Sequence, residues 1–392
     1  MIAVKGKNLF ILGGSLTGLA LIRNSFSLAI PTILFSHVDE ISTHSRLIKI
    51  VNVEDYGDKA FSAIKKISLQ VERVFLLASS DDWLRFIFNY RDQINCLGIE
   101  VLHADNLVLD ICLNKQRFNE WLLKEGLPMP LMIPVPDLEL QNFSEVLDVL
   151  PYPLIVRPAI TKHSENIFSL AKAQSVYDSN ELKSCLRRFD KASVQPLITQ
   201  SLIPFQCQQY SVAIVRSNDG MRSFVTEKIR PSVEYAQTGT YVSLSPAEDV
   251  ELLARLVLDK LDYYGIAEVE ILKRPDTGEL FLIEINARPW LQYMLAWRSN
   301  HDFLHFLIDG EGYRKDLECK TGFHWIDFNA DLFATFSSSM GCVRRRELSI
   351  FRYLYSLVQA NVYASFSWYD FGPFKSQFLS LIQLFTRKSN NE

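Results

Sequence analysis

The feature that most limits the fold of this chain is a run of carboxylate residues set among apolar ones, GIAEVEILKRPDTGELFLIEINAR, over residues Gly265–Arg288. Its centre, Pro275-Asp276-Thr277-Gly278, is a typical turn sequence. The flanking residues are rich in Ile, Val, Leu and Phe, which favour strands. We therefore expect two paired strands, Ile266–Lys273 and Glu279–Asn286, joined by this turn.

Alternate residues of a strand point to the same face, so Glu268 and Glu270 share one face, and Glu284 and Asn286 share a face of the neighbouring strand. Carboxylates on an apolar hairpin cost free energy unless something compensates their charge. Mg²⁺ prefers oxygen ligands and typically binds through one or two carboxylates together with substrate phosphates. We therefore predict a metal site formed by Glu270, Glu284 and Asn286, with Arg288 beside it to hold an anion. The alternative is a surface hairpin with a solvated polar face.

The first hundred residues alternate between short apolar strands, at 8–12, 31–36, 49–53 and 72–78, and helices. This order indicates a mainly parallel sheet covered by helices on both faces. The glycine turn at 13–18 has the spacing G-G-x-x-x-G, which differs from the dinucleotide pattern G-x-G-x-x-G. We expect a turn that needs close packing. The alternative is a dinucleotide site, with Asp39 near the position of a ribose-binding acid.

Composition excludes several classes of protein. The chain has 392 residues, of which 48% are hydrophobic and 22% charged, which is typical of a globular protein with two or three domains. The net charge of −4 gives no general attraction to nucleic acid. The six cysteines form no C-x-x-C pair, so we expect reduced thiols. No signal peptide or membrane span is evident, and we expect a cytoplasmic protein.

The segments GIAEVEIL and LIEINARPW resemble the metal-binding hairpin of the ATP-grasp superfamily, in its carboxylate–amine ligase branch, which includes domains like those of the carbamoyl-phosphate synthase large chain. The order of the other elements agrees over about residues 8–300. The resemblance implies a mixed α/β and α+β fold with three parts. These are a Rossmann-like pre-ATP-grasp domain (1–108), an ATP-grasp domain (109–312, with a lid at about 150–203) and an aromatic-rich C-terminal extension (313–392).

The resemblance also implies which residues bind ATP. Lys115 in LNKQRF and Arg157 in YPLIVRP would hold its phosphates. The hinge segment ITQSLIPFQCQQYSV would hold adenine mainly through backbone groups, with a side chain near the ribose. The residues implied at this hinge are Gln200, Ser201, Leu202, Ile203 and Gln208.

Two departures from the family pattern concern the phosphates. The family usually has lysine where this chain has Arg157, and arginine keeps the charge on a bulkier, forked group. The glycine-rich loop that normally follows is replaced by AITKHSENIFS, which has no glycine to bring backbone amides close to phosphate. Lys162, His163 or Ser164 would have to contact the phosphates instead.

The implied activity is the ATP- and Mg²⁺-dependent joining of a small carboxylate to an amine through an acyl phosphate, with Mn²⁺ as an alternative metal and a homodimer as an expected assembly. The segment TEKIRPSVEYAQTGTY is similar to the family's substrate segment. In this reading Lys228 reaches the γ-phosphate, and Arg230 and Arg288 bind the carboxylate or acyl phosphate. Three alternatives stay open: an ATP-grasp kinase without ligation, a non-catalytic ATP-grasp-like binding or scaffold protein, and a nicotinamide enzyme.

The last 80 residues, 313–392, contain 17 of the 47 aromatic residues and ten Lys or Arg against seven Asp or Glu. One hypothesis is that Arg344-Arg345-Arg346 and the aromatic side chains favour an anionic membrane surface. We expect instead that the segment packs on the body of the protein. The aromatic residues are too many for a solvated tail, and the basic excess is only three.

Overall fold

The computed structural model describes most of the chain. The chain divides into two compact units. The described residues are 6–37, 39–133, 149–160, 173–231, 238–310, 321–336, 343 and 348–389. The first unit consists of Met1–Asp105, Tyr210–Glu268 and Ala287–Glu392, and the second of Asn106–Gln209 and Val269–Asn286.

Strands and helices alternate along most of the described chain. The strands are β1 (Asn8–Leu12), β2 (Thr32–Ser36), β3 (Lys49–Asn52), β4 (Val74–Ala78), β5 (Glu100–Val101), β6 (Met132–Ile133), β7 (Leu154–Pro158), β8 (Gln174–Val176), β9 (Pro196–Gln200), β10 (Gln208–Ser217), β11 (Gly220–Pro231), β12 (Gly239–Leu244), β13 (Gly265–Lys273), β14 (Leu280–Asn286), β15 (His324–Ile326) and β16 (Val362–Tyr363). The helices are α1 (Leu16–Ser27), α2 (Asp58–Ser68), α3 (Asp81–Cys96), α4 (Asn106–Leu113), α5 (Lys115–Lys124), α6 (Ser179–Lys191), α7 (Glu248–Lys260), α8 (Tyr293–Arg298), α9 (Phe303–Asp309), α10 (Phe328–Phe336), α11 (Ile350–Gln359) and α12 (Gly372–Ser389).

The first unit begins with a five-stranded parallel sheet in the order β3-β2-β1-β4-β5. The central strands are almost entirely buried because helices cover the sheet, as the uninterrupted apolar runs NLFIL and VFLLA predict. This is the doubly wound arrangement expected from the alternation of strands and helices.

The glycine turn after β1 is tightly packed. Gly13 has a φ of +99°, and a Cβ atom there would lie 2.7 Å from Cδ1 of Trp83. The backbone N–H of Gly14 donates to Glu40 Oε2 at 2.6 Å, and a Cβ at Gly18 would lie 2.2 Å from the Gly13 carbonyl oxygen. The Gly14 N–H, which a bound pyrophosphate would need as a donor, therefore already donates to the Glu40 carboxylate. This favours the close-packing interpretation of the turn over a dinucleotide site.

The rest of the first unit is built on a second sheet, in which the strands follow one another in the order β13-β10-β11-β12-β15-β16. β10, β11, β12 and β15 pair antiparallel, and β15 and β16 pair parallel. The buried residues of this unit include Trp290 and Trp325, which are fully enclosed. None of the described helices is both long and apolar enough to cross a membrane, and none of the described cysteines is in a disulfide bond.

The second unit contains an antiparallel sheet in the order β6-β9-β7-β8, together with α4, α5, α6, β14 and the end of β13. Helix α6 buries Leu182, Cys185, Leu186 and Phe189 against this sheet. Their spacing of three and four residues is that of one helix face, which explains why this segment forms a helix packed on the sheet.

The described part of the C-terminal segment packs within the first unit. Strands β15 and β16 extend the second sheet, and Asp370 forms a fully buried ion pair with Arg23 of α1, with Nε and Oδ2 3.1 Å apart. Arg23 also donates to the carbonyl of Ser365 at 2.8 Å. The packing expected from the aromatic content is confirmed for these residues, whereas Arg344–Arg346 lie outside the described residues.

Because the segment supplies buried strands and a buried ion pair, we expect it to resist limited proteolysis together with the body of the protein. Mass spectrometry of the resistant core should find peptides from β15, α10 and β16. Rapid loss of these peptides, with the remaining chain intact, would contradict the packing.

Candidate active site

The predicted carboxylate hairpin is present as the adjacent strands β13 and β14. Glu270, Glu284 and Asn286 are half-buried, while Ile271 and Ile285 next to them are buried. Their side chains thus have partial access to solvent on an otherwise apolar pair of strands, and the cost of burying the carboxylates has to be offset by nearby positive charge.

Lys115 supplies one of these positive charges. It is the first residue of α5, and its backbone N–H donates to the carbonyl of Ala159, just after β7, at 2.8 Å. This contact fixes the start of the helix beside the strand. The Lys115 ammonium forms an ion pair with Glu284, and the two side chains are only 22% and 24% exposed. The residue predicted to bind phosphate and a residue predicted to bind metal are therefore in direct contact.

Arg157 in β7 supplies the second positive charge. Its Nε is buried and, within the described residues, has no hydrogen-bond partner. Burial lowers the pKa of the Arg157 guanidinium, and the charges of Glu284 and Glu270 oppose that shift. The second unit thus brings together Lys115, Arg157, Glu270 and Glu284, four charged residues that are far apart in sequence.

This set of residues fits a divalent cation bound together with phosphates. Among the described residues, no group of three or more His, Cys, Asp and Glu side chains could hold a metal ion by itself. Two carboxylates and an amide oxygen are, however, what Mg²⁺ needs when phosphate oxygens complete its coordination. The buried Arg157 Nε, which donates to none of the described residues, suits an anionic phosphate oxygen.

The predicted adenine hinge follows β9. Gln200 and Ser201 donate their backbone N–H groups to the carbonyls of Leu131 and Pro153, at 2.8 and 3.0 Å. Ile203 donates its N–H to Ser201 Oγ at 3.3 Å. These bonds hold the segment in a defined backbone conformation, as a base-binding hinge requires.

The side chains of the hinge differ in exposure. Ser201 and Leu202 are buried, Gln200 and Ile203 are half-buried, and Gln208 is exposed. Gln208 is therefore the most exposed of the five and the candidate for a side-chain contact to a ribose, and the other four would act through their backbone groups.

Phe205 and Arg274 connect the hinge region to the hairpin turn in the second unit. The Arg274 guanidinium carbon lies 4.1 Å from the centre of the Phe205 ring. Arg274 Nε and Nη2 donate to the two carboxylate oxygens of Asp276, at 3.1 and 2.7 Å. The sequence carries no signal for this contact, because nothing in the local pattern links two turns that lie about 70 residues apart.

The predicted anion-binding residue Arg288 lies in the first unit. Its Nε donates to Asp81 Oδ1 at 2.6 Å, and the side chains are 19% and 27% exposed. Asp81 begins α3, directly after the cap residue Ser80. Arg288 is therefore paired with a residue that lies 207 positions earlier in the sequence.

His103, which the sequence analysis missed, supports the backbone next to Arg288. Its Nε2 accepts from the backbone N–H of Ala78 at 2.8 Å, so Nδ1 carries the proton and donates to the carbonyl of Ala287 at 3.1 Å. Burial lowers the pKa of His103 to about 3. The imidazole is therefore neutral at ordinary pH and acts as a fixed link between two backbone segments.

Arg230 is engaged by a residue far along the chain. Its Nε and Nη2 donate to the two carboxylate oxygens of Asp331 at 2.9 and 2.8 Å, and the pair is buried. Thr240 donates to Asp331 as well, at 2.7 Å, and the guanidinium carbon lies 4.2 Å from the centre of the Tyr241 ring. Asp331 thus holds the Arg230 guanidinium within the first unit, and carboxylate or acyl-phosphate binding by Arg230 stays a prediction. The sequence offered no signal for Asp331.

Lys228, the third residue predicted to take part in catalysis, is half-buried in β11 of the first unit. A Cβ at Gly239 would lie 3.1 Å from Lys228 Cγ. Glycine at this position therefore leaves room for the lysine stem. The segments 161–172 and 232–237, which include Lys162, His163 and Ser164, lie outside the described residues.

Asn114 caps the helix that carries Lys115. Its Oδ1 accepts from the backbone N–H groups of Gln116 and Arg117, at 3.0 and 3.2 Å. We expect Asn114→Ala to lower the free energy of unfolding by about 0.5–2 kcal/mol in denaturant titration. Asn180→Ala is the matched control, because it changes an exposed asparagine in the first turn of α6, which Asp178 caps. Equal effects of the two substitutions would contradict the capping role.

Comparison with known proteins gives one line of sequence evidence. No protein-family model matches the chain. It is similar to the D-alanine–D-alanine ligases of two Thermoanaerobacter strains, each 26% identical in an alignment of 238 residues. The match covers 55% of this chain and 63% of each relative, so the chain spans less than two thirds of their length.

Solved structures give the second line of evidence. An N5-carboxyaminoimidazole ribonucleotide synthetase in complex with ADP has a TM-score of 0.59 at 17% identity, with 74% of this chain and 73% of that one covered. The Staphylococcus aureus N5-carboxyaminoimidazole synthetase gives 0.61 at 12% identity, with 81% of both chains covered. The L-amino acid ligase of Bacillus licheniformis gives 0.58 at 16%, with 81% and 78% covered. At these identities the likeness establishes a shared fold.

Proposed function

We propose that this chain, which has the ATP-grasp fold that its hairpin motif predicted, is an ATP- and Mg²⁺-dependent carboxylate–amine ligase. The observation that carries the proposal is the convergence of Lys115 and Arg157 on Glu284 and Glu270 in the second unit. Two cations suited to phosphate and two carboxylates suited to a divalent cation form one compact charged site. The names of the relatives and structural neighbours favour a small substrate, such as an amino acid, as the carboxylate.

In the proposed reaction, a carboxylate oxygen of the first substrate forms a bond to the γ-phosphorus of ATP, and the bond between that phosphorus and the departing ADP oxygen breaks. The amine nitrogen of the second substrate then attacks the acyl carbon, inorganic phosphate leaves, and the nitrogen loses a proton. Lys115 and Arg157 would hold the ATP phosphates in position. Arg288 would orient the carboxylate, and Lys228 would approach the γ-phosphate.

Glu270, Glu284 and Asn286 would hold the divalent cation, which when bound supplies neutralisation of charge on the phosphates. Mg²⁺ is the proposed metal, and Mn²⁺ is the alternative because it accepts similar oxygen ligands. Gln200–Ile203 and Gln208 would hold the nucleoside. A homodimer and a cytoplasmic location remain predictions.

The test is a screen of amino acids and other small carboxylates, alone and with amines, for ADP release by the purified full chain. We expect release that requires both substrates and yields one amide product per ADP. A phosphorylated product without an amine requirement would favour a kinase. No ADP release with any pair, despite measurable ATP binding, would favour a non-catalytic binding protein.

A further inference from the structure

Helix α11 exposes its apolar face, which an amphipathic helix normally buries. Phe351, Leu354, Tyr355 and Val358 follow the spacing of one helix face, and they are 86%, 53%, 64% and 84% exposed. Tyr353 on another side of the helix is buried and contacts Phe336. The helix is thus anchored by one side, and on the other it presents an apolar stripe that the described residues leave exposed.

A chain of aromatic contacts leads from the end of α11 towards α12. Tyr363 donates to the Leu357 carbonyl at 2.9 Å, and its ring centre lies 6.2 Å from that of Phe366. Phe366 in turn packs against Trp368, at 4.8 Å between ring centres, and against Phe374 of α12 at 5.3 Å. Trp368 is 85% exposed. We call the exposed residues Phe351, Leu354, Tyr355, Val358 and Trp368 the aromatic face.

The charges around the aromatic face have one sign. Residues 350–382 contain three charged residues, which are Arg352, Lys375 and Asp370. Asp370 is fully buried and paired with Arg23, so it contributes no exposed negative charge. Arg352 and Lys375 are both exposed. A partner that covers this face should therefore be negatively charged.

We propose that the aromatic face binds the surface of an anionic lipid bilayer. Exposed aromatic and aliphatic side chains beside Lys and Arg are what a peripheral protein needs to insert into the headgroup region. A second copy of this chain would bring the same positive charges together, which opposes association. Phe351, Val358 and Trp368 are about 85% exposed and project from the protein surface. A fluid bilayer can take up such projecting side chains without a preformed groove.

This proposal changes part of our expectation from the sequence. The segment does pack on the protein, as its aromatic content predicted, but only with one side. The aromatic side chains on the other side stay exposed to solvent. The proposal is independent of the ligase function, because the aromatic face contains none of the residues assigned to ATP, metal or substrate.

The test is flotation of the full-length protein with vesicles. We expect binding to phosphatidylcholine vesicles that contain about 30% phosphatidylserine, weak binding to pure phosphatidylcholine, and weaker binding to the anionic vesicles as salt rises from about 0.1 to about 0.5 M. Equal binding to both kinds of vesicle, or no binding to either, would overturn the proposal.

Variants connect the binding to the aromatic face. Phe351→Ser combined with Val358→Ser should weaken binding to anionic vesicles by about tenfold or more, because two inserting apolar side chains are removed. Arg352→Glu should weaken it by about tenfold or more through charge reversal. Leu69→Ser is the matched control, since Leu69 is 75% exposed at the end of α2 and away from α11 and α12 in sequence. It should leave vesicle binding unchanged.

Two further measurements keep the result interpretable. The thermal unfolding midpoints of these variants should match the wild type, because the changed side chains are solvent-exposed. Sedimentation of the wild type and the Phe351→Ser, Val358→Ser variant measures assembly. A wild-type dimer that this variant converts to a monomer, without vesicle binding by either, would show that a second copy covers the face and would overturn the proposal.

Discussion

Glu284→Gln should lower ATP turnover by about 10²-fold or more while the chain stays folded. The carboxylate pairs with Lys115 and lies close enough to Arg157 to act on its charge. An amide of the same size keeps the shape of the site but removes one negative charge, so the site should bind a divalent cation more weakly. Steady-state ADP release, measured over a range of Mg²⁺ concentrations, should show both a lower rate and a higher Mg²⁺ requirement.

Glu279→Gln is the matched control for this substitution. Glu279 adjoins the turn between the same two strands, its carboxylate is 53% exposed, and it lies 3.6 Å from Arg274. Because it contacts none of the charged residues of the proposed site, its loss should leave turnover and the Mg²⁺ requirement near the wild-type values. Wild-type turnover in the Glu284 variant would refute the assignment of the metal site.

Arg157→Ala should raise the apparent KM for ATP by about 10- to 150-fold, because a charge-assisted hydrogen bond contributes about 1.5–3 kcal/mol. The buried Arg157 Nε, which has no partner within the described residues, is the donor expected to contact phosphate. Arg157→Lys should retain much of the activity, because the positive charge survives and the lysine Nζ lies one bond beyond the position of the arginine Nε. Initial rates over a range of ATP concentrations measure both effects.

Arg187→Ala provides the control for the loss of an arginine in the same unit. Arg187 is an exposed residue of α6 and should leave the KM for ATP unchanged. If neither substitution at Arg157 alters ATP binding, Arg157 is a structural residue of β7. The nucleotide would then be bound in another way, or not at all, and the non-catalytic alternative would be the better proposal.

The sequence predicted most elements of the fold, because periodicity and turn chemistry are local. The amphipathic pattern of residues 114–125 is that of α5, Lys115–Lys124, and the expected hairpin is β13 and β14. Helix α4, Asn106–Leu113, was not predicted. Its sequence NLVLDICL is apolar at nearly every position and lacks the helical repeat that would distinguish it from a buried strand.

The candidate site could be predicted only in part. Lys115, Arg157, Glu270 and Glu284 were each identified from a local motif and a family resemblance, and the structure places them together in the second unit. Residues that act through distant partners were missed. His103 is an example, since its role depends on accepting from Ala78 and donating to Ala287, and no short motif contains that information.

The sequence by itself determined the alternation of strands and helices, the close-packed glycine turn and the charged hairpin, because each depends on residues within a few positions of one another. Only the tertiary structure decided that Arg230 is paired with Asp331, and that α11 turns its apolar stripe to solvent. The physical reason is that a local sequence pattern does not specify a distant partner. An amphipathic pattern indicates that a helix face can be buried, but only contacts between residues far apart in sequence decide whether another part of the chain buries it.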